Sequence, residues 1–134
     1  MRSKIEHPKR MKQLVDFVGL ELDSGIYPTD IDGLIEYKDS EYIIIEVKHR
    51  NAKVPRGQRL ALQRMVDDFT KAGKNSVAIV CEHSVDDANK PVIMAKCRVR
   101  ELYYGREHKW RPPDKKMNVR QAIDAFRVFS NKIR

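Results

Sequence analysis

Apolar positions along the chain change their spacing several times, and each change marks an element. Met11, Leu14, Val15, Val18 and Leu22 recur at helical intervals, which predicts a packing helix from Pro8 to about Leu22, closed by Ser24-Gly25. Two β-branched runs then flank the polar trio Lys38, Asp39 and Ser40, the composition of a β-hairpin. Pro55 through Ala72 returns to helical spacing, with Leu62, Met65, Val66 and Phe69 as its buried stripe, Pro55 in its opening turn and Gly73 at its end. Ser76 to Cys81 is a short continuous apolar run, as expected of a buried strand. Pro91 to about Tyr104 alternates enough to predict one more strand, and Arg106 to Met117 reads as a loop. Asn118 suits the N-cap of a last helix with Val119, Ala122, Ile123, Phe126 and Phe129 on one face and Arg120, Arg127 and Lys132 on the other. Together these elements predict a single α/β domain over residues 1–134, a mixed sheet flanked by helices with the hairpin at its centre.

The hairpin carries the chemistry. If Lys38, Asp39 and Ser40 form its loop, Tyr37 faces Glu41 and the pairing counts back to Asp32 opposite Glu46. Directly opposed residues share a face, with Cβ atoms roughly 4.5–5.5 Å apart, and like charges so placed repel. Lys48, two residues beyond Glu46, points to the same side. Two carboxylates aimed at each other call for a cation between them. Hard oxygen ligands suit Mg²⁺, with Mn²⁺ as a substitute, and Lys48 could orient or deprotonate a water or offset charge on phosphorus. Everything depends on register: a loop of four residues would put Asp32 and Glu46 on opposite faces.

Asp32, followed after a spacer by Glu46-Val47-Lys48, resembles the motif of the PD-(D/E)xK nuclease superfamily. Ile31-Asp32-Gly33-Leu34-Ile35 looks like its first motif strand, and Tyr42-Ile43-Ile44-Ile45 like the buried strand leading to its Glu. Gly57-Gln58 through Gly73 and then Ser76 to Val80 resemble the glutamine-bearing helix and next strand of the branch containing VRR-NUC domains and archaeal Holliday-junction resolvases. The resemblance covers about residues 6–82, and departs in having Ile31 where the motif has proline, with Pro28 close by. It implies a restriction-endonuclease-like fold and a Mg²⁺-dependent endodeoxyribonuclease, with metal held by Asp32, Glu46 and the carbonyl of Val47, and Lys48 catalytic. Gln58, one turn before Leu62 on the sheet-facing side, matches the family's glutamine near the site; otherwise it is a helix-start residue. Glu6 matches the resolvase branch's N-terminal helix glutamate and is a catalytic candidate, with a carboxylate complementing a helix dipole as the alternative and Glu21 a weaker choice. Such nucleases commonly act as dimers when both strands are cut, so a homodimer is allowed, although no segment declares an interface.

Charge points the same way. The chain carries a formal +8, with twelve Lys or Arg against four Asp or Glu from Lys96 onward. An acidic pocket alone repels a polyanion, whereas a basic surround attracts phosphate by counterion release. His49, Arg50, Lys53, Arg56 and Arg59 are expected to form a basic rim beside the pocket, and Arg111, Lys115 and Lys116 a backbone track; singly, each is a surface cation. Trp110 is expected in the core in preference to stacking on a base, and adjacent His83 and Glu82 face opposite ways, which argues against a ligand pair. Cys81 and Cys97 lack the second pair of a zinc site and read as buried thiols. With no apolar run near the roughly 18 residues of a membrane span and no apolar signal core after Met1, a cytoplasmic location without membrane contact is expected. Two other readings remain: a non-catalytic nucleic-acid-binding module of the same fold, and a ribosome-like or virion-like assembly subunit with solvent-facing hairpin charges.

Overall fold

The computed structural model describes residues 4–132 and falls into two compact units, one ending at Asp30 and one beginning at Ile31. In the first unit the expected fifteen-residue helix is corrected to one short turn, α1 (Pro8–Met11), followed by irregular chain and a 3₁₀ turn at Asp23–Gly25. Leu14, Val15, Val18 and Leu22 are exposed. An isolated helix of that length is marginal without a surface to bury its stripe. Gly19, at φ +91°, adds a helix-breaking conformation in what would be its last turn.

The second unit is α/β. Strands β1 (Gly33–Tyr37), β2 (Glu41–His49), β3 (Asn75–His83), β4 (Arg98–Tyr104) and β5 (Lys109–Arg111) form one mixed sheet in that order. The pair β2·β3 is parallel and the other pairs are antiparallel. The hairpin is therefore not central, as the sequence suggested: β1 is an edge, β2 is interior, and β3 holds the middle. A parallel pair needs a crossover, supplied by α2 (Arg56–Lys71), which must run back against the direction of β2.

The pleat sorts the side chains. Ile44, Ala78 and Tyr103 face α2 and meet Leu62 and Val66. Ile43, Ile45, Val77 and Ile79 face α3 (Val119–Lys132) and meet Val119, Ala122, Ile123 and Phe126. Asn118 caps α3 reciprocally with Gln121: each backbone amide donates to the other's side-chain oxygen, at 2.9 and 2.8 Å. Phe129 is a correction, since it is half-exposed while Ser130 is buried. Counting 100° per residue, the stripe of Val119, Ala122, Ile123 and Phe126 centres about 10° from Val119, and Ser130 falls about 30° and Phe129 about 70° from that centre.

One strand and one loop assignment also change. Pro91 to Lys96 is irregular with a 3₁₀ turn at Met94–Lys96, so the strand starts only at Arg98. The expected loop after Gly105 contains β5, whose Trp110 packs on the α2 side and donates its indole N–H to Gln63 Oε1 at 3.2 Å. Cys81 and Cys97 are both free and buried. Among the described residues, no helix is long and apolar enough to cross a membrane.

Candidate functional site

The hairpin turn sets the site. Lys38 and Asp39 adopt left-handed conformations, φ +49° and +53°, which are costly for residues with a Cβ. Asp39 offsets the cost by accepting the Tyr42 hydroxyl at 2.6 Å, pairing with Lys74 at 3.0 Å, and donating its amide to Glu36. Ser40 closes the loop through its amide to the Tyr37 carbonyl at 2.9 Å. Tyr37 pairs with Glu41 and Gly33 with Ile45, so the next step down the hairpin sets Asp32 opposite Glu46. That is the register the sequence implied.

Asp32 Oδ2 accepts the Val47 amide at 2.7 Å, holding the carboxylate across the end of the ladder. In a strand, one residue's N–H and C=O point the same way. The Val47 carbonyl therefore also faces the Asp32 side, beyond the last β1 partner. Glu46 is only 4 % exposed. Lys48 Nζ lies 3.3 Å from Glu46 Oε1, whereas the buried Oε2 has no donor. Burial first, and then the Asp32 carboxylate beside it, raise the Glu46 pKa to about 7, more than Lys48 lowers it.

Gln58 approaches from α2. Leu62 packs with Ile44, and α2 runs against β2. One turn back along the helix, about 5.4 Å, matches two residues forward along the strand, about 6.6 Å. Gln58 thereby comes over Glu46, and its buried Oε1 has no donor either. Glu6 is exposed and lies in the N-terminal unit, ahead of α1. Glu21 lies in that unit too. Among the described residues, no group of three or more His, Cys, Asp or Glu converges as for a metal; the site has two carboxylates, a carbonyl and an amide.

The expected basic rim is mostly occupied by the protein's own anions. His49 Nε2 is 2.9 Å from Asp86 Oδ1, and Arg50 forks onto the same carboxylate, holding Asp86 below the usual carboxylate range. Arg59 forms a two-pronged pair with Glu101 and covers the Trp110 ring, its guanidinium 4.4 Å from the centroid. Arg111 belongs to β5, not to a loop. It bonds Glu107 and Asp114 and lies over the Tyr104 ring. Lys53, Arg56, Lys115 and Lys116 are exposed, and among the described residues their side chains make no ion pair.

Arg100 and Glu101 escaped the sequence reading, which considered Glu82 only beside His83. A bulge lets Val80 pair with Glu101 but Cys81 with Val99, so Arg100 has no partner on β3. Its guanidinium instead donates to the carbonyls of Arg50 and Ala52, each at 2.7 Å, clamping the chain just after Lys48. Glu82, paired in register with Lys48, accepts Arg98 at 2.5 Å. A bulge leaves no mark in an alternating sequence, and without it these positions cannot be assigned to a face. No family model, curated protein or solved structure matches the chain.

Proposed function

We propose that the protein is a metal-dependent endonuclease of the PD-(D/E)xK type, hydrolysing DNA phosphodiesters at the hairpin, and that it works in the cytoplasm. One observation carries the reading: a buried carboxylate, Glu46, faces a second carboxylate, Asp32, and keeps one oxygen without a donor. Ionised, neither group can donate to the other, and the single Lys48 contact leaves the pair short of positive charge. A hard divalent cation meets that deficit, and the Asp32 and Glu46 oxygens with the Val47 carbonyl are the donors it prefers.

The residues divide the work. Asp32, Glu46 and the Val47 carbonyl would hold Mg²⁺, which when bound supplies Lewis acidity and lowers the pKa of water. Lys48, beside Glu46 and largely buried, places an ammonium where charge grows on the phosphate and can hold or release a proton toward an attacking water. Gln58 offers its unpaired Oε1 as an acceptor that orients such a water. The exposed Lys53 and Arg56 offer phosphate contacts beside it.

Labelled linear, flapped and four-way DNAs incubated with Mg²⁺, Mn²⁺ or EDTA test the proposal. Wild type is expected to cut at least one substrate only with metal. Asp32→Ala and Glu46→Ala should lose at least roughly 10²-fold in activity, as expected for deleting one transition-state-stabilising group. Lys48→Ala should cut as poorly and yet bind DNA nearly as wild type does. Binding without cleavage across the whole panel would replace this reading with a DNA-binding module of the same fold.

A further inference from the structure

Beyond Lys48, at the C-terminal ends of β2 and β3, lies a run of concavities that the carboxylate pair does not use. One of about 500 Å³ is walled by His83, Val92, Ile93, Lys96 and Arg98. It shares His83 and Val92 with a neighbour of about 380 Å³ that reaches His49. On its other side it shares Lys96 and Arg98 with one of about 240 Å³ that reaches Lys116, three residues before α3. The three make one groove across the end of the sheet. It begins one residue past the site, since His49 follows Lys48 in β2 and Glu82, the register partner of Lys48, forms part of its wall.

Its chemistry is mixed in a specific way. Lys90, Lys96 and Lys116 line it, are exposed, and make no ion pair among the described residues. Two of its carboxylates are answered by groups of the protein itself, Glu82 by the Arg98 guanidinium and Asp86 by the Arg50 guanidinium and a His49 hydrogen bond, with Asp87 as the remaining acid. Between the lysines the wall is flat or apolar: the exposed Val92 and Ile93, and the His49 and His83 rings with centroids 5.2 Å apart. A duplex offers phosphates but keeps its bases stacked inside. Only an unpaired strand offers phosphates and base faces together, and imidazole and aliphatic walls are surfaces on which bases lie.

We propose that this groove binds a single-stranded polynucleotide segment leading away from the carboxylate pair. The inference rests on the proposed nuclease reading and deepens it: the favoured substrate carries a single-stranded branch next to the bond that is cut. Lysines along the groove hold successive phosphates. His83, Val92 and Ile93 receive the bases without reading their sequence.

The test is fluorescence anisotropy of labelled oligothymidylate, oligouridylate and a blunt duplex with the full chain in EDTA, so that binding is read without cleavage. Lys96→Glu with Lys116→Glu should weaken single-strand binding roughly tenfold at low salt. Its salt slope should fall by about 1.4, since each phosphate that a lysine no longer neutralises removes about 0.7. Duplex affinity should move less than twofold. Lys71→Glu with Lys132→Glu makes the same charge change at the C-terminal ends of α2 and α3, the opposite end of the sheet, and should leave single-strand binding within about twofold of wild type. Ile93→Ser, which alters no charge, should cost a few-fold on single strands with the salt slope intact. Equal losses in both double variants, or equal losses on duplex and single strand, would overturn the proposal. Comparison of the uridine oligomer with oligodeoxyuridylate, which carries the same base, assigns the sugar. Because no step needs metal or turnover, failure of the nuclease reading would leave these results standing, and failure of the groove would leave metal-dependent cutting untouched.

Discussion

Replacing Glu46 by Gln keeps the side-chain shape and removes the charge that the metal-free protein holds at a cost. The Glu46 carboxyl is raised from its ordinary 4.5 to about 7. A carboxyl with a higher pKa in the folded state binds its proton more tightly there. Its contribution to stability is therefore complete below about pH 4.5, declines as pH rises toward 7, and is gone above that. At 1.36 kcal/mol per pH unit the window corresponds to about 3 kcal/mol, an upper figure already net of the Lys48 attraction. Glu46→Gln does not titrate, so its stability relative to wild type should improve by up to about 3 kcal/mol between pH 4.5 and pH 8. That is roughly 10 °C in melting temperature for a chain of this size. Urea and thermal denaturation in EDTA at both pH values measure it, and the difference between pH values cancels any pH-independent effect of the substitution. Added Mn²⁺ should then raise wild-type stability at pH 8 and leave Glu46→Gln unmoved, because only a state that binds metal gains from it. A wild-type to variant gap that stays the same at both pH values would refute the facing-carboxylate argument.

Inserting one glycine after Asp39 should turn Asp32 to the other face and abolish calorimetric Mn²⁺ binding. The cost in stability should be smaller than that of a core truncation, because Leu34 and Ile35 are both exposed and burial hardly fixes the β1 register. Leu62→Ala, at a position 1 % exposed, should cost about 2–5 kcal/mol in urea denaturation and leave cutting intact at temperatures where the protein is folded. Arg56→Ala should weaken DNA binding with the melting point unchanged; Arg59→Ala should lower the melting point, since it strips Glu101 of its partner and uncovers Trp110.

The hairpin register was more legible in the sequence than the strand order around it. Asp32, Glu46 and Lys48 follow from one local count through a three-residue loop, and helical phase alone brings Gln58 to the sheet-facing side of α2. Strand order and the pairing of Arg59 with Glu101 depend on contacts between segments far apart in the chain, which periodicity does not encode. The N-terminal stripe from Met11 to Leu22 shows the opposite failure: its spacing is helical, but spacing becomes structure only where the apolar face has something to cover it. The track placed on Arg111, Lys115 and Lys116 rested on charge counting, which does not register that Arg111 is spent on Glu107 and Asp114.

The open side of β1 has a consequence for how the protein behaves at concentration. Among the described residues β1 is an edge strand with Leu34 and Ile35 exposed, and such an edge is a template for another strand. The formal +8 charge opposes that contact by keeping molecules apart. At 1 M salt the screening length shrinks to about 3 Å and the repulsion is lost. Any polyanion that bound would cancel the same charge at ordinary ionic strength and remove the barrier that keeps neighbouring β1 edges apart. The colloidal state of this protein is thus set by the anions around it as much as by its fold.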